Sequence, residues 1–185
     1  MHARNVVWMC VLTAVLAICG SGVGRAAPTI LTPTPDESSM ERVIEQYLKD
    51  AHQLTAREEV LEDNDLVLTY KMEGDAVPDF TITVDTQAVN KADDGTVRER
   101  AVTALVYTGV KVPDAKAAAV LEVMSGFARD NWFFSGYIDE DREVAVQWNV
   151  NVMAQGLDAE YVFDMLARLY KTWEKLSPLV AAALQ

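Results

Sequence analysis

Residues Asn131 to Val152 read NWFFSGYIDEDREVAVQWNVNV, and the second half of this stretch decides the fold. Val144, Val146, Trp148, Val150 and Val152 alternate with Ala145, Gln147, Asn149, Asn151 and Met153. A strict period of two places the first set on one side of an extended strand and the second set on the other, which is the pattern of a strand with one buried face. Phe133 to Ile138 is then its hairpin partner, and Asp139-Glu140-Asp141-Arg142 is the exposed turn. Asp139, Asp141 and Glu143 carry the alternate spacing of the first ligands of a calcium loop. Such a loop also needs glycine at its sixth position and a bidentate glutamate at its twelfth, and here those are Val144 and Val150. A solvated hairpin tip is the expectation.

The same reasoning extends outward. Leu66, Leu68, Tyr70 and Met72 alternate with Val67, Thr69 and Lys71; Phe80, Ile82 and Val84 with Thr81, Thr83 and Asp85; Val102, Ala104 and Val106 with Thr103, Leu105 and Tyr107. Three strands with short polar connections make an antiparallel meander, because parallel crossovers take a dozen residues or more. Before them, Met40, Val43, Ile44, Tyr47, Leu48, Ala51 and Leu54 fall at helical spacing, and Ser38 with Glu41 has the form of a capping box. Pro113 and Asp114 open a second helix with Val120, Val123, Met124 and Phe127 on its inner side. After Gly156, Asp158 is the expected N-cap of a third helix bearing Val162, Met165, Leu166, Leu169, Trp173 and Leu176, which Ser177-Pro178 is expected to end. The reading is an α+β fold: a five-stranded antiparallel sheet packed by helices, in the order α-β-β-β-α-β-β-α.

At the N-terminus, His2 and Arg4 precede the apolar run Val6 to Cys19, which is followed by small residues up to Ala26. The run is shorter than the ~20 residues of a membrane span and no stop-transfer charge follows it, so residues 1–26 read as an export signal cleaved after Ala26. The expected location is the periplasm or the exterior, without membrane insertion after cleavage. Lipid attachment at Cys19 is the minor alternative, because Ile18 stands where that box wants a small residue. Residues 27–37 are expected to be a proline-rich linker, 38–177 the folded domain and 178–185 a C-terminal tail.

Cleavage removes both cysteines, Cys10 and Cys19, and leaves His52 as the last histidine. Disulfides, thiol nucleophiles and Cys/His zinc cages are thereby excluded from the processed chain. The net charge of −12 becomes −14, since the signal carries Arg4 and Arg25 but no acid. Nucleic acid and anionic lipid are poor partners for such a chain. No GxSxG, GxGxxG or P-loop pattern occurs, and the carboxylates of the DEDRE turn sit in water rather than in a desolvated cleft. Neither catalysis nor a cofactor is expected. Trp148 and Trp173 fall on apolar faces and read as core, His52 reads as a boundary residue beside the first helix's apolar stripe, and Trp132 stands at a helix-to-strand junction.

Arg129 to Phe134, then YIDEDREVAVQWNV, then GLDAEYVFDMLARLY, together with the element order, resemble the YbjN family, whose arrangement is shared with type III secretion chaperones. The resemblance spans about Ser38 to Leu176. It implies a non-enzymatic protein that binds other polypeptides, often as a homodimer, and it carries over no catalytic residue. The secretion chaperones are cytoplasmic, whereas this chain bears an export signal, so their clients do not transfer with the fold. The candidate binding surface is the sheet face opposite the core: Thr81, Thr83, Leu105, Tyr107, Gln147, Asn149 and Met153. The acidity reads first as a solubility feature and leaves a basic polypeptide allowed; a polypeptide partner or a second copy would dock there. The alternative is a small-molecule carrier or sensor with a pocket between sheet and helices near Trp132 and Trp148.

Overall fold

The alternating strand of the quoted stretch, Glu143–Met153, lies next to the edge of a six-stranded sheet in a computed structural model that describes residues 27–60, 66–72, 80–131 and 133–185. In chain order the elements are β1 (Ile30–Leu31), α1 (Glu37–His52), β2 (Arg57–Val60), β3 (Leu66–Met72), β4 (Phe80–Lys91), β5 (Val97–Lys111), a 3₁₀ turn (Asp114–Lys116), α2 (Ala117–Asp130), β6 (Ser135–Ile138), β7 (Glu143–Met153), β8 (Leu157–Asp158) and α3 (Glu160–Leu184). The main sheet runs β2-β3-β4-β5-β7-β6 with every pairing antiparallel, and β1 and β8 form a separate two-stranded sheet. The α+β class stands, whereas the expected five strands become six in the main sheet and two more beside it. The export signal and its cleavage point at residues 1–26, like Trp132, lie outside the described residues.

Three differences from the sequence reading have physical reasons. β2 occupies residues in which the sequence reading placed no strand: all four are exposed, so no buried face imposes an alternation, and Arg57, Glu58 and Glu59 guard a sheet edge. The first helix begins at Glu37 without a capping box. Ser38 and Ser39 turn their hydroxyls onto Asp36 Oδ2 at 2.9 and 2.7 Å, which holds the Asp36 carboxyl below its ordinary range. Glu41, which a capping box would bend back, instead reaches into the core and accepts the Thr86 backbone N–H at 2.9 Å. Finally, α3 runs through Pro178 to Leu184. The apolar stripe of Leu169, Trp173, Leu176 and Val180 stays buried past the proline, while Pro178 itself is exposed, so the missing N–H falls on the side that water can serve.

The core lies between one face of the sheet and the helices. Leu68 and Tyr70 of β3, Ile82 and Val84 of β4, Val102, Ala104 and Val106 of β5, and Val144, Val146 and Trp148 of β7 point into it. Against them pack Met40, Ile44 and Leu48 of α1, Val120 and Met124 of α2 and the inner stripe of α3. The proline-containing stretch after residue 27 takes part: Leu31 is buried, Ala159 N–H donates to Thr29 O at 2.8 Å, and Arg100 Nε donates to Thr34 O at 2.9 Å. Arg100 is itself buried on β5, where its cross-strand neighbour is Ala88 and that of Thr86 is Val102. Glu41 and Arg100, two opposite charges, are therefore buried in the same corner, where α1 starts above β4 and β5.

Candidate functional site: the open face of the sheet

Because the described helices pack on one side of the sheet, the residues between the core positions form a second face, open among the described residues. Among the described residues of that face, from Thr69 on β3 to Tyr137 on β6, only Ala145 is fully buried. All seven residues of the candidate surface lie there: Thr81 and Thr83 on β4, Leu105 and Tyr107 on β5, Gln147, Asn149 and Met153 on β7. Register decides which of them are neighbours. Thr83 faces Leu105, Leu105 faces Gln147, and Gln147 faces Ser135, giving one continuous row across four strands. Asn149 follows one step along, opposite Thr103.

Met153 does not join this group. It pairs with Glu99 at the far end of β7, six residues beyond Gln147, which is about 20 Å of strand. Its exposure belongs to a different part of the surface, where Asn151 Nδ2 donates to Glu99 Oε1 at 2.7 Å.

At the other end, Tyr107 and Tyr137 stand opposite Ala145 from its two sides, in a row that the sequence reading missed because it placed no surface residue on β6. Tyr107 is 53% exposed. Burial, then the neighbouring Tyr107, then Asp139 push the Tyr137 phenol above its ordinary pKa, so it stays a neutral hydroxyl. Beside this row a hollow of about 470 Å³ is lined by Tyr107, Asp139, Glu140, Asp141 and Glu143. The hairpin tip uses part of this charge to hold itself. Asp139 Oδ1 accepts Glu143 N–H at 2.7 Å, Glu143 Oε1 accepts Gly109 N–H at 2.6 Å, and Lys111 Nζ lies 3.2 Å from Glu143 Oε2. Among the described residues no group of three or more His, Cys, Asp or Glu side chains is placed to hold a metal ion.

His52 sits elsewhere and is better engaged than its sequence position suggests. Its Nε2 lies 2.7 Å from Glu160 Oε2, which also accepts the Tyr47 hydroxyl, and its ring stacks on Phe163 with centroids 3.6 Å apart and planes 6° apart. The end of α1 is thus pinned to the first turn of α3. The partners lie 108 to 113 residues away in sequence, so no local pattern announces them. Tyr47 also borders a second hollow of about 470 Å³, lined by Ala27, Thr29, Arg42, Val43, Gln46, Asp50 and Ala51. The Trp148 indole has its ring centroid 4.8 Å from that of Phe133 and 5.9 Å from that of Tyr161.

No helix among the described residues is long and apolar enough to cross a membrane. No family model matches the chain, and no curated protein does. Among solved structures, an uncharacterized protein from Methanothermobacter thermautotrophicus is similar, with a TM-score of 0.45 and 12% identity over 78% of this chain and 99% of that one.

Proposed function

We propose that the protein is an exported, non-enzymatic binding module of YbjN-like fold that takes a polypeptide partner, as a chaperone-like or adaptor protein, on the open face of its sheet. One observation carries the reading: a sheet covered by the described helices on one side presents Leu105, in the row of Thr83 and Gln147, and Tyr107, in the next row opposite Ala145, on the other. Apolar side chains set among polar ones are the composition of a contact patch, here with neutral Thr83 and Gln147 beside Leu105 and carboxylates beyond Tyr107. The paired change Leu105→Lys with Tyr107→Lys places two charges on this row and leaves the opposite, core face of the strand untouched. With the tagged chain exported through its own signal and cross-linked in cells, a stoichiometric polypeptide partner is expected from the parent chain and absent from the double variant. Retention of the partner by a folded double variant would refute the assignment of this face.

A second reading, a small-molecule carrier, draws on the hollow beside α1, whose wall includes Ala27, Val43, Tyr47 and Ala51. This hollow lies on the outer side of α1, at a different place from the Trp148 region named from the sequence. Its signature is a melting temperature that rises with ligand concentration and loses that dependence in Val43→Asp.

A further inference from the structure

We infer that the partner of the open face is a basic polypeptide segment that lays a lysine or arginine across Tyr107 into the acidic end of β7. The inference deepens the proposed function and rests on it. Charge complementarity selects the occupant. The whole chain carries −12, and the rim of the face at this end concentrates Asp139, Glu140, Asp141 and Glu143. The two nearby cations are already engaged: Lys111 Nζ lies 3.2 Å from Glu143 Oε2 and donates to Asp141 O at 3.2 Å, and Arg142 pairs with Asp114 at 2.8 Å. The carboxylates of Glu140 and Asp141 are exposed and make no ion pair among the described residues.

The acidic rim alone would be a solvated turn; its position at the end of an apolar track gives it a partner. The aliphatic stem of a lysine or arginine lies along Leu105 and Tyr107, its head group meets the Tyr107 ring, and its charge meets Glu140 and Asp141. An acidic segment is repelled, and a wholly apolar one leaves the rim without a counter-charge. Neutral Thr83, Gln147 and Asn149 then offer hydrogen bonds to the backbone on either side of the basic residue.

The test uses three fluorescein-labelled twelve-residue peptides in which lysine, glutamine or glutamate alternates with threonine, titrated against the full chain and read by fluorescence anisotropy. The lysine peptide is expected to bind at least about tenfold more tightly than the glutamine peptide and to weaken with salt. Glu140→Gln with Asp141→Asn should weaken the lysine peptide about fivefold, the scale of two exposed charge contacts. Tyr107→Ala should weaken it further. Glu122→Gln with Asp164→Asn removes the same charge from the helical side and is expected to change nothing. Equal losses from the two charge-removing pairs would mean diffuse attraction to an acidic protein and would overturn the inference. Equal binding of lysine and glutamine peptides, both abolished by Leu105→Lys/Tyr107→Lys, would overturn the basic partner while leaving the open-face reading intact. Lysine-peptide binding unchanged in that same double variant would overturn both.

Discussion

Gly156 joins β7 to β8, and replacing it with alanine measures how firmly the N-terminal segment belongs to the fold. Its φ is +81°, a left-handed conformation that costs an L-residue about 1–2 kcal/mol. Gly95, in the β4–β5 turn, has a φ of +84° and nothing within 4 Å of an added Cβ, so Gly95→Ala isolates that conformational cost. At Gly156 the new methyl would collide with Ile30 Cγ2 and meet Leu31 O at 3.1 Å. Ile30 is 48% exposed and its side chain is able to swing into water, but the Leu31 carbonyl is backbone of β1. For it to give way, the pairing with Leu157 loosens, the Ala159–Thr29 hydrogen bond lengthens and Leu31 shifts in its site. Losing the hydrogen bond and part of a buried leucine adds about 1–2 kcal/mol. Gly156→Ala is therefore expected to cost about 2–4 kcal/mol against about 1–2 for Gly95→Ala. The assay is urea unfolding followed by tryptophan fluorescence and far-ultraviolet circular dichroism, with equal m-values confirming a common transition. Amide exchange at Ala159 should quicken in the Gly156 variant alone. Equal destabilisation by the two alanines would refute the idea that β1 is wedged against this turn.

Two further substitutions address buried polar groups. The Tyr70 hydroxyl is fully buried with no hydrogen-bond partner among the described residues, and burial, with Glu45 and Glu58 adding to it, pushes its pKa far above the ordinary phenol value; Tyr70→Phe is expected to raise stability by about 1 kcal/mol in urea unfolding, and a loss of that size would mean the hydroxyl has a partner. Glu41→Ala strips the Thr86 N–H of its acceptor and removes the negative charge from a corner that also buries Arg100, so a loss of about 3–5 kcal/mol is expected, with Glu41→Gln losing less because its amide oxygen still serves Thr86; a loss below about 1 kcal/mol in Glu41→Ala would refute this account.

The parts of the fold legible in the sequence are those where burial imposes a period. Val144, Val146, Trp148 and Val152 declare β7, and because the sheet has one covered face, the same alternation names the residues of the open one. β2 leaves no such trace, since an edge strand whose side chains all meet water has no face to encode. Glu41 misled for a different reason. Three residues after a serine, a glutamate has the capping spacing whether it bends back to the helix start or reaches across to β4, and only the tertiary position of Thr86 chooses between them. The proline rule failed at Pro178 because it describes a local cost, which the burial of Leu176 and Val180 on the inner side outweighs. At the candidate site, face was predictable and distance was not. Alternation put Tyr107 and Met153 on the same side, whereas their separation along the sheet follows from the β5–β7 register, which no single strand contains.

An antiparallel sheet with one covered face turns polar residues outward as a matter of course, so openness alone assigns no function. What sets this face apart is where it departs from that pattern. Thr69, Thr81, Thr83 and Thr103 are ordinary outward residues of high strand propensity. Leu105, Tyr107 and Tyr137 are not required to keep a solvated face solvated, and they gather at one end, next to a hairpin tip whose Glu140 and Asp141 add nothing to its internal hydrogen bonds through their side chains. A tip built for stability alone needs Asp139 and Glu143, which cap the turn and hold Gly109. The two further acids raise local repulsion without a compensating side-chain contact among the described residues, a cost that a basic partner reverses on binding. Substituting Glu140 and Asp141 with their amides should accordingly leave the free protein as stable or slightly more stable while weakening a lysine-bearing peptide. A clear loss of stability in that variant would assign the two carboxylates to the fold rather than to a partner.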